Sequence, residues 1–158
     1  MALHVALLEP ATAATVGALV KVTASAGASL HTVGELPFAH DDTALRKAGP
    51  ADWSTADWWP HQLWRDFRDA MARERCIYFS LDAERDPAEA PFRANSVLVI
   101  GTEQGILPDR IRDKYPTRLY RLPTPPRKRK FDLAASTALL LETAAARLAA
   151  QAAEANGL

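Results

Sequence analysis

The sequence predicts an α/β fold with a mainly parallel sheet flanked by helices. Three observations carry this expectation: short apolar runs of strand length stop at glycine or proline, apolar residues recur between them at helical spacing, and the two patterns alternate along the chain. With 158 residues, 48% of them hydrophobic and 24% charged, the chain can bury one sizeable core and is too short for two ordinary domains. A single domain over residues 1–158 is therefore expected.

The elements follow in order. Residues 3–8 are an apolar run closed by Glu9-Pro10, as a strand covered on both faces would be. Val16, Leu19, Val20 and Thr23 then recur at i, i+3, i+4, i+7, and Gly27 follows where a left-handed helix cap is common. A strand over 29–33 completes a first crossover unit, which favours parallel pairing. Residues 41–48 read as a short helix closed by Gly49-Pro50. Pro60 suits the first turn of a helix that points Leu63, Trp64, Phe67 and Met71 inward and Arg65, Asp66, Arg68 and Asp69 toward water. Next come a strand over 76–81, a polar, proline-bearing connector over 82–95, and strands over 97–100 and 118–122. After Pro123, Pro125, Pro126 and a basic run, Asp132 is a natural N-cap for an alanine-rich helix reaching to about residue 155. No internal repeat is present.

Composition narrows the function classes. Lys plus Arg equals Asp plus Glu, so attraction to nucleic acid must come from a local patch and not from the field of the whole protein. One cysteine, Cys76, excludes an intramolecular disulfide framework and a cysteine-cluster metal site, and it fits a reducing compartment, with the cytoplasm expected. The N-terminal stretch lacks a basic leader, which argues against a signal peptide. No apolar run is expected to approach the roughly twenty residues a membrane span needs.

Motifs for common chemistry are missing. There is no G-x-G-x-x-G, Walker loop or G-x-S-x-G elbow. His4, His31, His40 and His61 have no metal-ligand spacing and read as ordinary core or surface histidines, so no metal is expected. Cys76 opens an apolar strand and reads as a buried, inert thiol. Trp53, Trp58, Trp59 and Trp64 crowd one span that admits two readings, packing or interface on one side and RNA base stacking on the other. The run Arg127-Lys-Arg-Lys130 is the one dense positive patch, either a phosphate contact or a solvated loop. Main-chain N–H groups after Ile100 and at the helix start after Asp132 face the carboxyl ends of the strands, the usual place for a ligand in an open α/β sheet.

Four stretches together resemble a known family: "VALLEPATAATVGALVKVTASAG" (5–27), "LPFAHDDTALRKAGPADW" (36–53), "LVIGTEQGILP" (98–108) and "RLPTPPRKRKFDLAASTALLLETA" (121–144). In order and in total length they are similar to the trefoil-knotted SPOUT RNA methyltransferases of the SpoU/TrmH-like branch. Within it they resemble the TrmL-like enzymes that methylate the ribose 2′-hydroxyl of the tRNA wobble nucleotide, cytidine or uridine 34. The resemblance implies an α/β knot, a homodimer, a tRNA partner, and S-adenosyl-L-methionine held between the loops after three late strands. Carried over by position, it places the cofactor at Phe79, Ser80, Gly101, Glu103, Leu122, Phe131 and Leu133, in large part through main-chain groups. It places RNA at Lys21, Arg127, Lys128, Arg129 and Lys130, and Lys21, at the family's arginine, becomes the candidate base.

The departures from the family motifs are specific. The family's N-T-G-N-x-x-R reads Thr15-Val-Gly-Ala-Leu-Val-Lys21, so a helical face carrying Thr15, Ala18 and Lys21 has lost two amides and exchanged a guanidinium fork for an ammonium. G-P-E-S/T-R-G-L-P reads Gly101-Thr-Glu-Gln-Gly-Ile-Leu-Pro108, with Gly105 at the arginine and Ile106 at the glycine. N-L-S-N-A reads Asp132-Leu-Ala-Ala-Ser136, with Ala134 and Ala135 at the serine and asparagine. Two functions are compatible with this pattern: a divergent RNA 2′-O-methyltransferase, or a catalytically silent relative acting as an RNA-binding, assembly or dimer-partner module.

Overall fold

The computed structural model describes residues 2–126 and 130–157. Six strands form one sheet in the order β3-β2-β1-β5-β4-β6, all parallel: β1 (His4–Leu8), β2 (Ser29–Val33), β3 (Trp58–His61), β4 (Cys76–Ser80), β5 (Val97–Val99) and β6 (Leu119–Arg121). The helices are α1 (Ala13–Ser25), α2 (Thr43–Ala48), α3 (Trp64–Ala70), α4 (Asp109–Lys114) and α5 (Leu133–Ala155).

Strand residues alternate between two cores, which explains why β1, β4 and β5 read as apolar runs, while β2 buries Ser29, His31 and Thr32 beside Leu30 and Val33. Val5, Leu7, Leu30, Ile77, Phe79 and Leu98 face α1 and α5, where they meet Val16, Leu19, Leu140 and Leu141. Ala6, Leu8, Val33, Tyr78, Val97 and Val99 face the other way, toward Phe67 of α3 and Ile111 of α4. Each Leu, Ile or Phe buried in this manner stabilises by about 1.5–3 kcal/mol.

The predicted helix starting at Pro60 is corrected. Trp58–His61 is a strand paired with β2, and the helix begins only at Trp64. β3 is the outermost strand, where proline's missing N–H is needed by no neighbour. Phe67 is fully buried as expected, but Leu63 is 50% exposed. α4 has no counterpart among the expected elements, and the short helix expected over 41–48 runs from Thr43 to Ala48 with Asp42 as its cap.

The carboxyl-terminal third positions the site. From β6, at one edge of the sheet, the chain returns past the loops after β4 and β5 and enters α5. That helix packs on α1 and against the β4–β5 connector, where Gln151 Nε2 donates to the Phe92 carbonyl at 3.1 Å. α5 matches a membrane span in length and composition, yet Leu133, Leu140, Leu141 and Ala144 are buried in the core shared with the sheet.

Candidate functional site

β4, β5 and β6 end side by side, and main-chain hydrogen bonds join the loops that leave them. Leu81 N donates to the Gly105 carbonyl at 2.8 Å and Leu122 N to the Ser80 carbonyl at 3.0 Å, while Thr102 N donates to the Ile106 carbonyl at 3.1 Å within the loop after β5. The buried Ser80 hydroxyl accepts from Leu107 N at 3.1 Å and donates to Asp82 Oδ1 at 2.6 Å. That hydrogen bond, aided by the Arg112 guanidinium paired with Asp82, holds the Asp82 carboxyl below the usual carboxylate range. Ser80 is thus a fastener between loops. Phe79 is buried between Phe92 and Tyr120, and Leu122 and Leu133 are core residues, so main-chain groups are what these positions offer a ligand.

Glu103 ties the loop after β5 to the entry of α1. Its Oε1 accepts from Thr12 N at 2.7 Å and Ala11 N at 3.2 Å, and its Oε2 accepts from Thr12 Oγ1 at 2.8 Å. Both carboxylate oxygens are engaged by the entry of α1. Gly101 and Gly105 have φ of +84° and +73°, a region that side chains disfavour. A Cβ at Gly105 would lie 2.6 Å from Phe131 Cζ, so the ring of Phe131 covers the place where the family's arginine would begin.

Two adjoining clefts open at the start of α5. The inner one, about 180 Å³, is walled by Leu81, Thr124, Pro125, Phe131 and Ser136. The outer one, about 480 Å³, reaches across to Thr15 and Ala18 of α1 and is bounded by Glu103 and Ala134. Lys130, Phe131 and Asp132 line both. Asp132 caps α5, its Oδ1 accepting from Ala135 N at 3.1 Å, as the sequence leads one to expect. Ile106 lines neither cleft.

The structure therefore gathers Ser80, Gly101, Glu103, Leu122, Phe131 and Leu133 around one end of the sheet, with Phe79 directly beneath. Lys21 lies elsewhere. The predicted stripe Thr15-Ala18-Lys21 is divided: the first two residues enter the outer cleft, whereas the exposed Lys21 lines a separate groove between α1 and α5 with Val22, Leu141 and Glu142. Lys130 is exposed at the cleft mouth, while Arg127, Lys128 and Arg129 lie outside the described residues. Thr12, Asp82 and Ser136 were not picked out by the sequence. Ser136 alone left a trace there, as the one hydroxyl in the third motif.

The remaining candidates resolve simply. Cys76 is buried, and burial pushes its thiol up to about 11. Trp53 packs on Gly49 under the Arg46 guanidinium, Trp58 donates to Thr32 Oγ1 at 3.1 Å, and Trp64 packs on Phe67, whereas Trp59 is 55% exposed. Three of the four histidines, against expectation, form a ladder: His4 Nδ1 lies 3.0 Å from His31 Nε2, and His31 Nδ1 lies 3.0 Å from His61 Nε2. Their ring nitrogens face one another in a line, and among the described residues no group of His, Cys, Asp and Glu is placed to hold a metal.

Comparison with known proteins agrees with this geometry. The pattern describing the SpoU rRNA Methylase family matches residues 2–142. The tRNA (cytidine(34)-2'-O)-methyltransferase of Methylovorus glucosotrophus is 30% identical over 138 residues, covering 87% of this chain and 90% of that protein. A structure solved for insight into the 2-OH methylation of C/U34 on tRNA superposes with a TM-score of 0.80 at 26% identity, covering 94% of this chain and 97% of the other. The SpoU methyltransferase AviRb of Streptomyces viridochromogenes in complex with AdoMet shares the fold, with a TM-score of 0.69 at 19% identity, over 92% of this chain and 58% of that one. With its parallel sheet, its joined loops after β4, β5 and β6, and a family match over most of its length, the chain has the α/β-knot fold and belongs to the SpoU methylase family of SPOUT RNA methyltransferases.

Proposed function

We propose that this single-domain protein is a tRNA ribose 2′-O-methyltransferase that takes its methyl group from S-adenosylmethionine and works as a homodimer in the cytoplasm. The observation that carries the reading is the pair of clefts sharing Lys130, Phe131 and Asp132. The inner cleft has apolar walls at Leu81, Pro125 and Phe131, lies between the loops after β4 and β6, and contains a buried hydroxyl with no partner, which suits a nucleoside-bearing cofactor. The outer cleft is wider, opens to solvent and carries an exposed cation, which suits a ribose and its phosphate.

S-adenosylmethionine, when bound, supplies an electrophilic methyl group. The chain's part is to orient donor and ribose, a contribution that reaches several orders of magnitude when the reacting atoms are aligned. Thr15 and Ala18 face the outer cleft, and Lys130 with Arg127, Lys128 and Arg129 would hold phosphate. Lys21, the base the resemblance implies, lines the separate groove between α1 and α5 and not this cleft, so it takes no part in holding the ribose here. The Glu103 clamp keeps the wall of the cleft together.

Calorimetric titration with S-adenosylmethionine, followed by transfer of a labelled methyl group to total tRNA, tests this. Saturable binding and a ribose-methylated product are expected. No heat of binding at millimolar donor would overturn the reading. The second reading, a silent relative, is favoured by one observation: Ala134 and Ala135 stand at the family's polar positions. Donor binding without transfer to any tRNA would select it.

A further inference from the structure

Ser136 carries a hydroxyl that the structure leaves without a partner. The residue is fully buried, and among the described residues only Ser136 Oγ and the Tyr115 hydroxyl are buried side-chain polar atoms lacking a hydrogen bond. A buried hydroxyl left unsatisfied costs about 1–3 kcal/mol. A local partner is ordinarily within reach, because a helical hydroxyl can turn back to the carbonyl four residues earlier. Thr137 does so in the same turn, donating to the Leu133 carbonyl at 2.8 Å, as does Thr143 to the Leu139 carbonyl at 3.0 Å. Ser136 does not; its side chain lines the inner cleft near the amino end of α5. The position is also where this chain departs from the family's N-L-S-N-A: the motif's serine and asparagine are Ala134 and Ala135, and a hydroxyl stands at 136 where the motif has alanine.

From this we infer that Ser136 is a cofactor-specificity residue: its hydroxyl completes its hydrogen bonding on a polar edge of the methyl donor's adenosine moiety. The inference rests on the proposed donor site. Leu81, Pro125 and Phe131 give the inner cleft apolar walls, which suit a flat heteroaromatic ring, and an edge hydroxyl that both donates and accepts is matched to the ring nitrogens and amino group of a purine. The hydroxyl thereby replaces, from the next position along the helix, polar recognition that Ala134 and Ala135 cannot give. A hydroxyl unmatched within the chain favours a ligand with the right polar edge over one without it.

The test compares the wild-type protein with Ser136→Ala by calorimetry against S-adenosylmethionine, S-adenosylhomocysteine and adenosine, alongside thermal unfolding without ligand. Ser136→Ala is expected to weaken all three about tenfold, the ordinary effect of one lost hydrogen bond, with a ligand-free Tm equal to or above that of wild type. Equal affinities in the two proteins would overturn the role of Ser136 while leaving the donor site standing. A ligand-free Tm lowered by the substitution would overturn it as well, by showing a structural hydroxyl. Failure of the wild-type protein to bind any of the three ligands would remove the donor site and this inference together.

Discussion

At the scale of residues, the departures from the family motifs are coupled to one another. Gly105 stands where an arginine is expected, and the ring of Phe131 occupies the space a side chain there would need, with Leu81 Cδ1 at 3.0 Å from the same point. The left-handed backbone adds its own demand, since a non-glycine residue at φ +73° costs about 1–2 kcal/mol. Gly105→Ala is therefore expected to destabilise by roughly 2–3 kcal/mol, combining backbone strain with overpacking. Phe131→Ala should recover only the overpacking part, so the double variant should be less unstable than the sum of the two singles. Urea unfolding of the four proteins reads this coupling; strict additivity would show that Phe131 does not block position 105. Glu103 teaches a related lesson. Its oxygens take N–H and O–H groups of Ala11 and Thr12, residues about ninety positions away in sequence, while the residue also bounds the outer cleft. Only the fold supplies that partnership.

At the scale of elements, β1, β2 and β3 bring three histidines into line. Their separations of 27 and 30 residues carry no ligand signal in the sequence. They meet because Ala6 pairs with His31 and Val33 with His61, which puts each histidine diagonal to the next on one face of the sheet. Phe67 packs edge-on against both His31 and His61. Burial, with the neighbouring rings His4 and His61, lowers His31 to about 4, while Asp57 acts against the shift. His4 is lowered by burial, with Arg75 acting in the same direction and Asp57 opposing, and His61 is lowered by burial with Asp66 opposing. A histidine depressed in the folded state binds fewer protons there than in the unfolded chain, so stability is full above pH 6.5 and declines as pH falls from 6.5 toward 4. From His31 alone the loss is roughly 3 kcal/mol by pH 4. Denaturant unfolding across this range should show the decline, and His31→Phe should flatten it; an unchanged slope in the variant would rule the ladder out as its source. Legibility was uneven at this scale. Strands covered on both faces and the capped helix α5 announced themselves by periodicity and by Asp132. β3 did not, because "WWPH" contains a proline that reads as a helix start unless one knows that the strand lies at the sheet edge. α4 is a single short helix whose only buried residue is Ile111, too little periodicity to register.

At the scale of the whole molecule, the knot was never legible from local pattern, since threading is a property of the order in which the chain passes its own loops and not of any one segment. It entered through the resemblance and stands on the superposition with family structures. The proposed homodimer is a different matter, because an interface between copies would mark the surface. α5 is apolar along its length, yet only about a third of its most apolar stretch is buried within one chain. Between α5 and α1 runs a groove of about 520 Å³ with Leu3, Val22, Ala138, Leu141 and Ala145 along it and the oppositely charged Lys21 and Glu142 at its sides. Small residues let helices approach closely, and a surface carrying one cation and one anion is self-complementary under a two-fold axis, which brings each group of one copy to its opposite in the other. The homodimer we propose is therefore expected to close over this groove, taking Lys21 into the interface. Light scattering at micromolar concentration should give twice the chain mass of 17.2 kDa. Ala145→Arg, which places a long charge on the groove floor, should reduce the particle to the monomer mass. Lys21→Glu should weaken the dimer by like-charge contact with Glu142, and the exchange Lys21→Glu with Glu142→Lys should restore it. A wild-type particle of monomer mass at every concentration would dismiss the dimer, and a dimer indifferent to Ala145→Arg would move its interface off this groove.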